Sequence, residues 1–198
     1  MKLILASASP RRAAVLRDAG IPFEAVTTRV DESRHPGESP EELVRRLAKT
    51  KARFAAARAT GTGDPAIVVG ADTAVVVDGA EGRRVLGKPV SSEDALATLR
   101  QLSGRTHSVI TGLAVIRLPD GVARTDHEIT LVTFAPLTEE DLEDYVASGE
   151  PLDKAGAYAI QGRGGRFVTR VEGCYFNVVG LPLAKLYRIL REFGWPHR

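Results

Sequence analysis

Ser7-Ala8-Ser9-Pro10-Arg11-Arg12 places two hydroxyls and two guanidiniums directly after the apolar run Leu3–Ala6. Ser9 suits a helix N-cap, and Pro10 suits the first helical position, where its missing N–H costs nothing. A helix start offers unpaired N–H groups and the positive end of the peptide dipole. With these side chains added, the segment has the makings of a phosphate cradle. Arginines in a first turn oppose the dipole, a conflict that an anionic ligand would relieve. The other reading is a capped helix with solvated arginines.

Asp72 follows the apolar strand Ile67–Val69 in Gly70-Ala71-Asp72-Thr73. A carboxylate at the carboxyl end of a central strand lies where open α/β sheets hold their ligands. There it can ligate a metal or act as a general base on water, or simply cap a turn beside Gly70. Asp31 and Glu32 occupy a polar stretch and can serve a divalent metal, although solvated surface carboxylates are commoner. Gly82–Lys88 matches the first seven positions of the ATPase phosphate loop, but Pro89 stands where that loop needs a hydroxyl. Val85–Leu86 also reads as extended, so the ATPase reading is rejected. Lys88 remains a candidate point charge for phosphate. Lys49 and Lys51 fall in mid-helix, where a solvated face is the default. His35, His107, His127 and His197 show no metal-ligand spacing; His107 and His127 alternate with apolar residues and read as structural. No Gly-x-Ser-x-Gly elbow supports a serine hydrolase.

The composition sets bounds on what these residues can serve. The 198 residues carry 27 Lys+Arg against 25 Asp+Glu, a net charge of +2, so any anion site must be local. No interleaved aromatic and basic pattern suggests nucleic-acid binding. The single Cys174 excludes an intramolecular disulfide and suits a reducing compartment. No apolar run approaches a membrane span, and the apolar residues after Lys2 are too few for a signal h-region. A cytoplasmic protein with no membrane partner is expected.

The elements that must position these groups follow from periodicity and caps. Strands are expected at Leu3–Ala6, Ala66–Val69, Ala74–Val77, Arg83–Leu86, His107–Leu118, Val122–Ala135, Phe167–Val171 and Tyr175–Val179. Asp78-Gly79, Pro119-Asp120-Gly121 and Glu172-Gly173 read as turns, and Ala159–Arg166 as a glycine-rich loop. Helices are expected from Pro10 to Gly20, from the capping box Ser39–Glu42 to Gly61, from Ser91 or Ser92 to Gly104, from Thr138 to Gly149, and from about Pro182. Thr60–Pro65 alone looks like a linker. The expectation is one α/β domain over residues 1–198, with a long mixed sheet flanked by helices in two lobes.

Leu5–Arg12 resembles the N-terminal signature of the Maf family of nucleoside triphosphate pyrophosphatases. The likeness continues through Leu47–Ala52, Gly70–Thr73, Gly87–Pro89, Leu102–Gly104, Pro151–Tyr158, Ile160–Gly162 and Val179–Leu183, in family order over nearly the whole chain. Thr50 and Ala159 depart from commoner family residues without emptying a catalytic position. The resemblance implies a fold like the inosine triphosphate pyrophosphatases, with a cleft between two lobes and frequent dimerisation. It implies cleavage of a nucleoside triphosphate between the α and β phosphates, with Mg²⁺ or Mn²⁺ as cofactor. Arg11, Thr73 and Gln161 are similar to the branch acting on dTTP and UTP; the branch resembling 7-methyl-GTP pyrophosphatases has Trp at the position of Arg11.

On that resemblance Arg11, Arg12, Lys51 and Lys88 are phosphate counter-charges, Ser9 fixes a phosphate, Asp72 activates water, and Asp72 with Glu32 holds the metal. Gln161 is assigned the pyrimidine base, because an amide offers the donor and acceptor that a uracil or thymine edge requires. The implied role is house-cleaning of nucleotide pools. The competing expectations are a nucleotide-binding regulator of cell division without essential catalysis, and a nucleic-acid module built on Arg11-Arg12.

Overall fold

The computed structural model describes residues 1–59, 65–80 and 82–196. Seven strands form one mixed sheet. They are β1 (Lys2–Ala6), β2 (Glu24–Ala25), β3 (Ala66–Gly79), β4 (Gly82–Leu86), β5 (Thr106–Leu118), β6 (Ala123–Phe134) and β7 (Val168–Glu172). The order is β2-β1-β3-β5-β6-β7, with β4 paired to β3. β1 runs parallel to β2 and β3, whereas β4 and β7 pair antiparallel with β3 and β6. The helices are α1 (Pro10–Asp18), α2 (Pro40–Ala59), α3 (Ser92–Leu102), α4 (Glu139–Ala147), α5 (Tyr175–Val179) and α6 (Leu183–Glu192). The expected α/β class with a mixed sheet and flanking helices is therefore observed.

The chain divides into two compact units. The first comprises Met1–Asp72, Thr111–Glu128 and Gly180–Arg198; the second comprises Thr73–Ile110 and Ile129–Val179. The first has a small-residue core in which Ala48, Ala52 and Ala55 of α2 meet Ile4, Val68 and Ala114. Bulkier side chains build the second, with Leu99, Phe134, Tyr145, Tyr158 and Phe167 at its centre.

Local signals place most helix starts where expected. Ser9 caps α1 with Pro10 in the first turn, Ser91 caps α3, and Thr138 and Asp141 form a capping box on α4. At α2, Glu42 N–H donates to Ser39 Oγ and Ser39 N–H donates to Glu42 Oε2. The proposed stop at Gly61, most of the linker and His197 lie outside the described residues. As expected, β4 is extended through Leu86 and no helix starts at Lys88.

Three expectations are corrected, and the alternative of a turn beside Gly70 falls away, because β3 runs unbroken through Gly70–Thr73. Gly70 is needed for close packing instead: a Cβ there would lie 2.2 Å from Ala48 O and 2.7 Å from Ala52 N on α2. Asp78 and Gly79 are not the turn either; they belong to β3 and pair with Arg83 and Gly82 of β4. Tyr175–Val179 is helical rather than extended. Its aromatic and β-branched residues favour a strand in isolation, but in the fold the segment is a turn of helix whose buried Asn177 donates to Val109 O and Thr130 Oγ1. The segment read as a loop after Gln161 contains a 3₁₀ turn, Arg163–Phe167. The short β2, without alternation to announce it, was not expected.

Candidate active site

The sequence Ala6-Ser7-Ala8-Ser9 carries the chain from the buried end of β1 into α1. Ser9 Oγ accepts from Arg12 N–H at the helix start. Ser7, itself buried, uses its Oγ to accept from Ser9 N–H at 3.1 Å and from Arg12 Nη1 at 3.2 Å. Arg12 is turned inward, where its Nε donates to Gly180 O at 2.7 Å. Burial pushes the Arg12 guanidinium below its ordinary range and Arg11 adds to this, while the fields of Asp72 and Glu32 oppose it. Arg11 is half-buried on the same first turn. The expected cradle therefore holds one guanidinium at fixed orientation, through a hydroxyl and a main-chain carbonyl.

A second group forms where α2 meets the sheet. Gly70 on β3 and Gly112 on the neighbouring β5 have no Cβ, and one at Gly112 would lie 2.1 Å from Val44 O. The helix backbone consequently lies directly on the strands. That approach buries Lys51, which is only 7% exposed, while Lys49 stays on the solvent face. Lys51 Nζ lies 2.6 Å from Asp72 Oδ1 and 2.6 Å from Glu32 Oε1. Asp72 is largely covered and Glu32 half-exposed, with side-chain exposures of 14% and 52%. Glu32 reaches this point from the irregular segment between β2 and α2. The solvated-face default thus fails for Lys51, and Asp72 lies within β3 rather than at its end.

The remaining candidates belong to the second unit. Thr73 is half-buried in β3. Lys88 is exposed after β4, beside the buried Pro89. Its segment is tied down where Gly156 N–H donates to Gly87 O at 3.0 Å, which joins the Gly87–Pro89 block to the Pro151–Tyr158 block. Gly156 is left-handed, and a Cβ there would lie 2.8 Å from Val75.

Gln161 is exposed at the apex of a tight segment. Beneath it, Tyr145 O–H donates to Glu150 Oε1 at 2.7 Å and Tyr145 Oη accepts from Ala159 N–H at 3.1 Å. Glu150 Oε1 also accepts from Gly164 N–H, and Oε2 from Arg163 N–H. Burial raises the Glu150 carboxyl, but these hydrogen bonds outweigh it and hold the group below its ordinary range.

His107 is structural, as expected: it is buried, its Nε2 bonds the Tyr158 hydroxyl at 2.9 Å, and burial pushes the imidazole down to about 4. Among the residues that orient the site, sequence reasoning missed the role of Ser7 toward Arg12, Gly180, Tyr145 and Glu150. A main-chain carbonyl leaves no side-chain signal, and Gly180 was visible only as part of the Val179–Leu183 block.

A family model described as Maf-like protein matches residues 2–193. The chain belongs to the Maf family. A protein of Symbiobacterium thermophilum named dTTP/UTP pyrophosphatase is 50% identical over 195 residues, covering 98% of this chain and 95% of its own. One of the same name from Moorella thermoacetica is 52% identical over 193 residues, covering 98% and 95%. Among solved structures, a nucleoside-triphosphatase / dITP/XTP pyrophosphatase from Mycobacterium abscessus aligns over 69% of this chain and 76% of its own, at 19% identity and a TM-score of 0.40.

Proposed function

We propose that this Maf protein hydrolyses dTTP and UTP to the monophosphate and pyrophosphate, clearing nucleotide pools in the cytoplasm. The observation that carries the reading is near-full-length identity of about one half to relatives named dTTP/UTP pyrophosphatase, in a chain that holds Arg12, Lys51 and Asp72 in defined geometry. A triphosphate is polyanionic, and cleaving it is mainly a matter of positioning and charge stabilisation. Arg12 presents a guanidinium already oriented by Ser7 and Gly180. Arg11 and Lys88 add positive charge for the phosphates, and Ser9 contributes the helix start.

Asp72 takes the proton from the attacking water. Lys51 donates to Oδ1, so the carboxylate that accepts this proton keeps one orientation. Glu32 and Asp72 suit a divalent metal, since two carboxylates already converge on one cationic group. Mg²⁺ and Mn²⁺ take hard oxygen ligands, with Mg²⁺ typically using one or two carboxylates and completing its shell with phosphate oxygens and water. Glu32 and Asp72 would hold the metal, which would supply charge neutralisation of the phosphates. Gln161 reads the pyrimidine edge; Thr73 and Arg11 complete the selectivity.

The test is product analysis of purified protein with UTP, dTTP and purine triphosphates in the presence of Mg²⁺ or Mn²⁺. The expected products are monophosphate and pyrophosphate, with the pyrimidine substrates preferred. Release of orthophosphate and a diphosphate would place cleavage at the other anhydride and overturn the reading.

A further inference from the structure

Gln161 is the apex of a segment fastened on both sides to one pair of side chains. Before it, Ala159 N–H donates to Tyr145 Oη; after it, Arg163 and Gly164 N–H groups donate to the Glu150 carboxylate. Tyr145 O–H donates to the same carboxylate at 2.7 Å, closing the arrangement.

The glycines of this segment follow from that packing. A Cβ at Gly162 would lie 2.3 Å from Glu150 Oε2, one at Gly164 would lie 2.6 Å from Tyr145 Oη, and one at Gly165 would lie 2.5 Å from Ile160 O. The backbone immediately after Gln161 therefore rests directly on the carboxylate. Glu150 is itself held by its place in the chain, between the left-handed Gly149 and the buried Pro151. Gln161, by contrast, is exposed, and its side chain makes no hydrogen bond among the described residues. A rigid seat beneath an unspent amide is what recognition of a polar edge requires, because a preorganised group loses less entropy on binding.

We propose that Glu150, braced by Tyr145, is a positioning residue that sets base selectivity by fixing the backbone that carries Gln161. This rests on the reading of Gln161 as the base-recognising residue. Glu150 touches no reacting atom in this account and acts only through the segment it holds. Glu150→Gln replaces one acceptor oxygen by an NH₂ donor that faces backbone N–H groups, so at least one of the three hydrogen bonds is lost.

The experiment compares wild type, Glu150→Gln, Gln161→Ala and the double variant on UTP, dTTP and GTP, together with amide hydrogen exchange over residues 159–165. Loss of a hydrogen bond to a charged group predicts a roughly tenfold fall in kcat/KM for UTP, carried mainly by KM, with GTP little changed. Gln161→Ala should then add nothing to the selectivity loss of Glu150→Gln, since both act through one group. Exchange at Arg163 and Gly164 should rise. Equal losses on all three nucleotides, additive effects in the double variant, or unchanged exchange would each overturn the proposal. Should Glu150→Gln not fold, Tyr145→Phe removes only the hydroxyl and must move selectivity and exchange in the same direction. A wild type with no preference for UTP or dTTP would sink the functional reading instead, and the exchange measurement judges the role of Glu150 separately.

Discussion

Lys51 on α2 and Asp72 on β3 meet at 2.6 Å although 21 residues separate them in the chain. The pairing depends on two missing side chains. Gly70 and Gly112 let the helix backbone lie on the sheet, and only that approach brings Lys51 Nζ down to a strand carboxylate. Glu32 closes on the same ammonium from the irregular segment that precedes the helix.

Asp72→Asn should fold, because Lys51 keeps its pairing with Glu32, and should lose most of its turnover. Removing a general base costs on the order of 10²–10⁴-fold in kcat. Pyrophosphate release with circular dichroism as the folding control measures this. A variant with near-native kcat and a raised KM would make Asp72 a binding residue.

Arg12→Lys should be far from conservative. The guanidinium donates at once to Gly180 O and Ser7 Oγ, and a single ammonium cannot reproduce that fork. Loss of a charged hydrogen bond predicts a fall in kcat/KM of roughly 10- to 100-fold with the fold retained. Kinetics within twofold of wild type would show that charge without orientation suffices.

Gly70→Ala should cost more than about 2 kcal/mol, since the clash is with helix backbone and no rotamer change relieves it. Gly87→Ala serves as the control, because a Cβ there meets nothing within 4 Å. Urea unfolding of both variants checks the difference. Equal stabilities would mean that α2 can lift from the sheet without penalty.

Acid should weaken the second unit through His107. Its folded-state ionisation lies at about 4, below the ordinary 6.5 of the imidazole. Above about pH 6.5 the ring is neutral in both states and contributes no slope. Between about 6.5 and about 4 the unfolded chain binds a proton that the folded chain refuses, so stability falls as pH drops through that window. His107→Gln can keep a hydrogen bond to Tyr158 and removes the titration. Unfolding free energies measured at pH 7, 5.5 and 4.5 should converge between wild type and variant as the pH falls. A constant difference across the series would assign the acid sensitivity elsewhere.

What could be read from the residues alone was local or strongly periodic. The caps at Ser9, Ser39, Ser91 and Thr138 are properties of neighbouring residues, so they stand where composition put them. The long strands β5 and β6 were legible for the same reason, as was the dense run of hydroxyls and guanidiniums at the start of α1. Tertiary structure decided the rest, because it determines which groups lose water and which backbones touch. Gly70, where a turn was the alternative reading, is a contact surface for α2; Lys51 looked solvated and is buried between two carboxylates. Tyr175–Val179 has the composition of a strand, yet it is a helix whose Asn177 side chain is bonded to Val109 and Thr130, residues distant in the chain. Gly180 and Glu150 act through a carbonyl and through bonds to backbone N–H groups, interactions whose partners lie far away in the sequence and become neighbours only when the chain has folded.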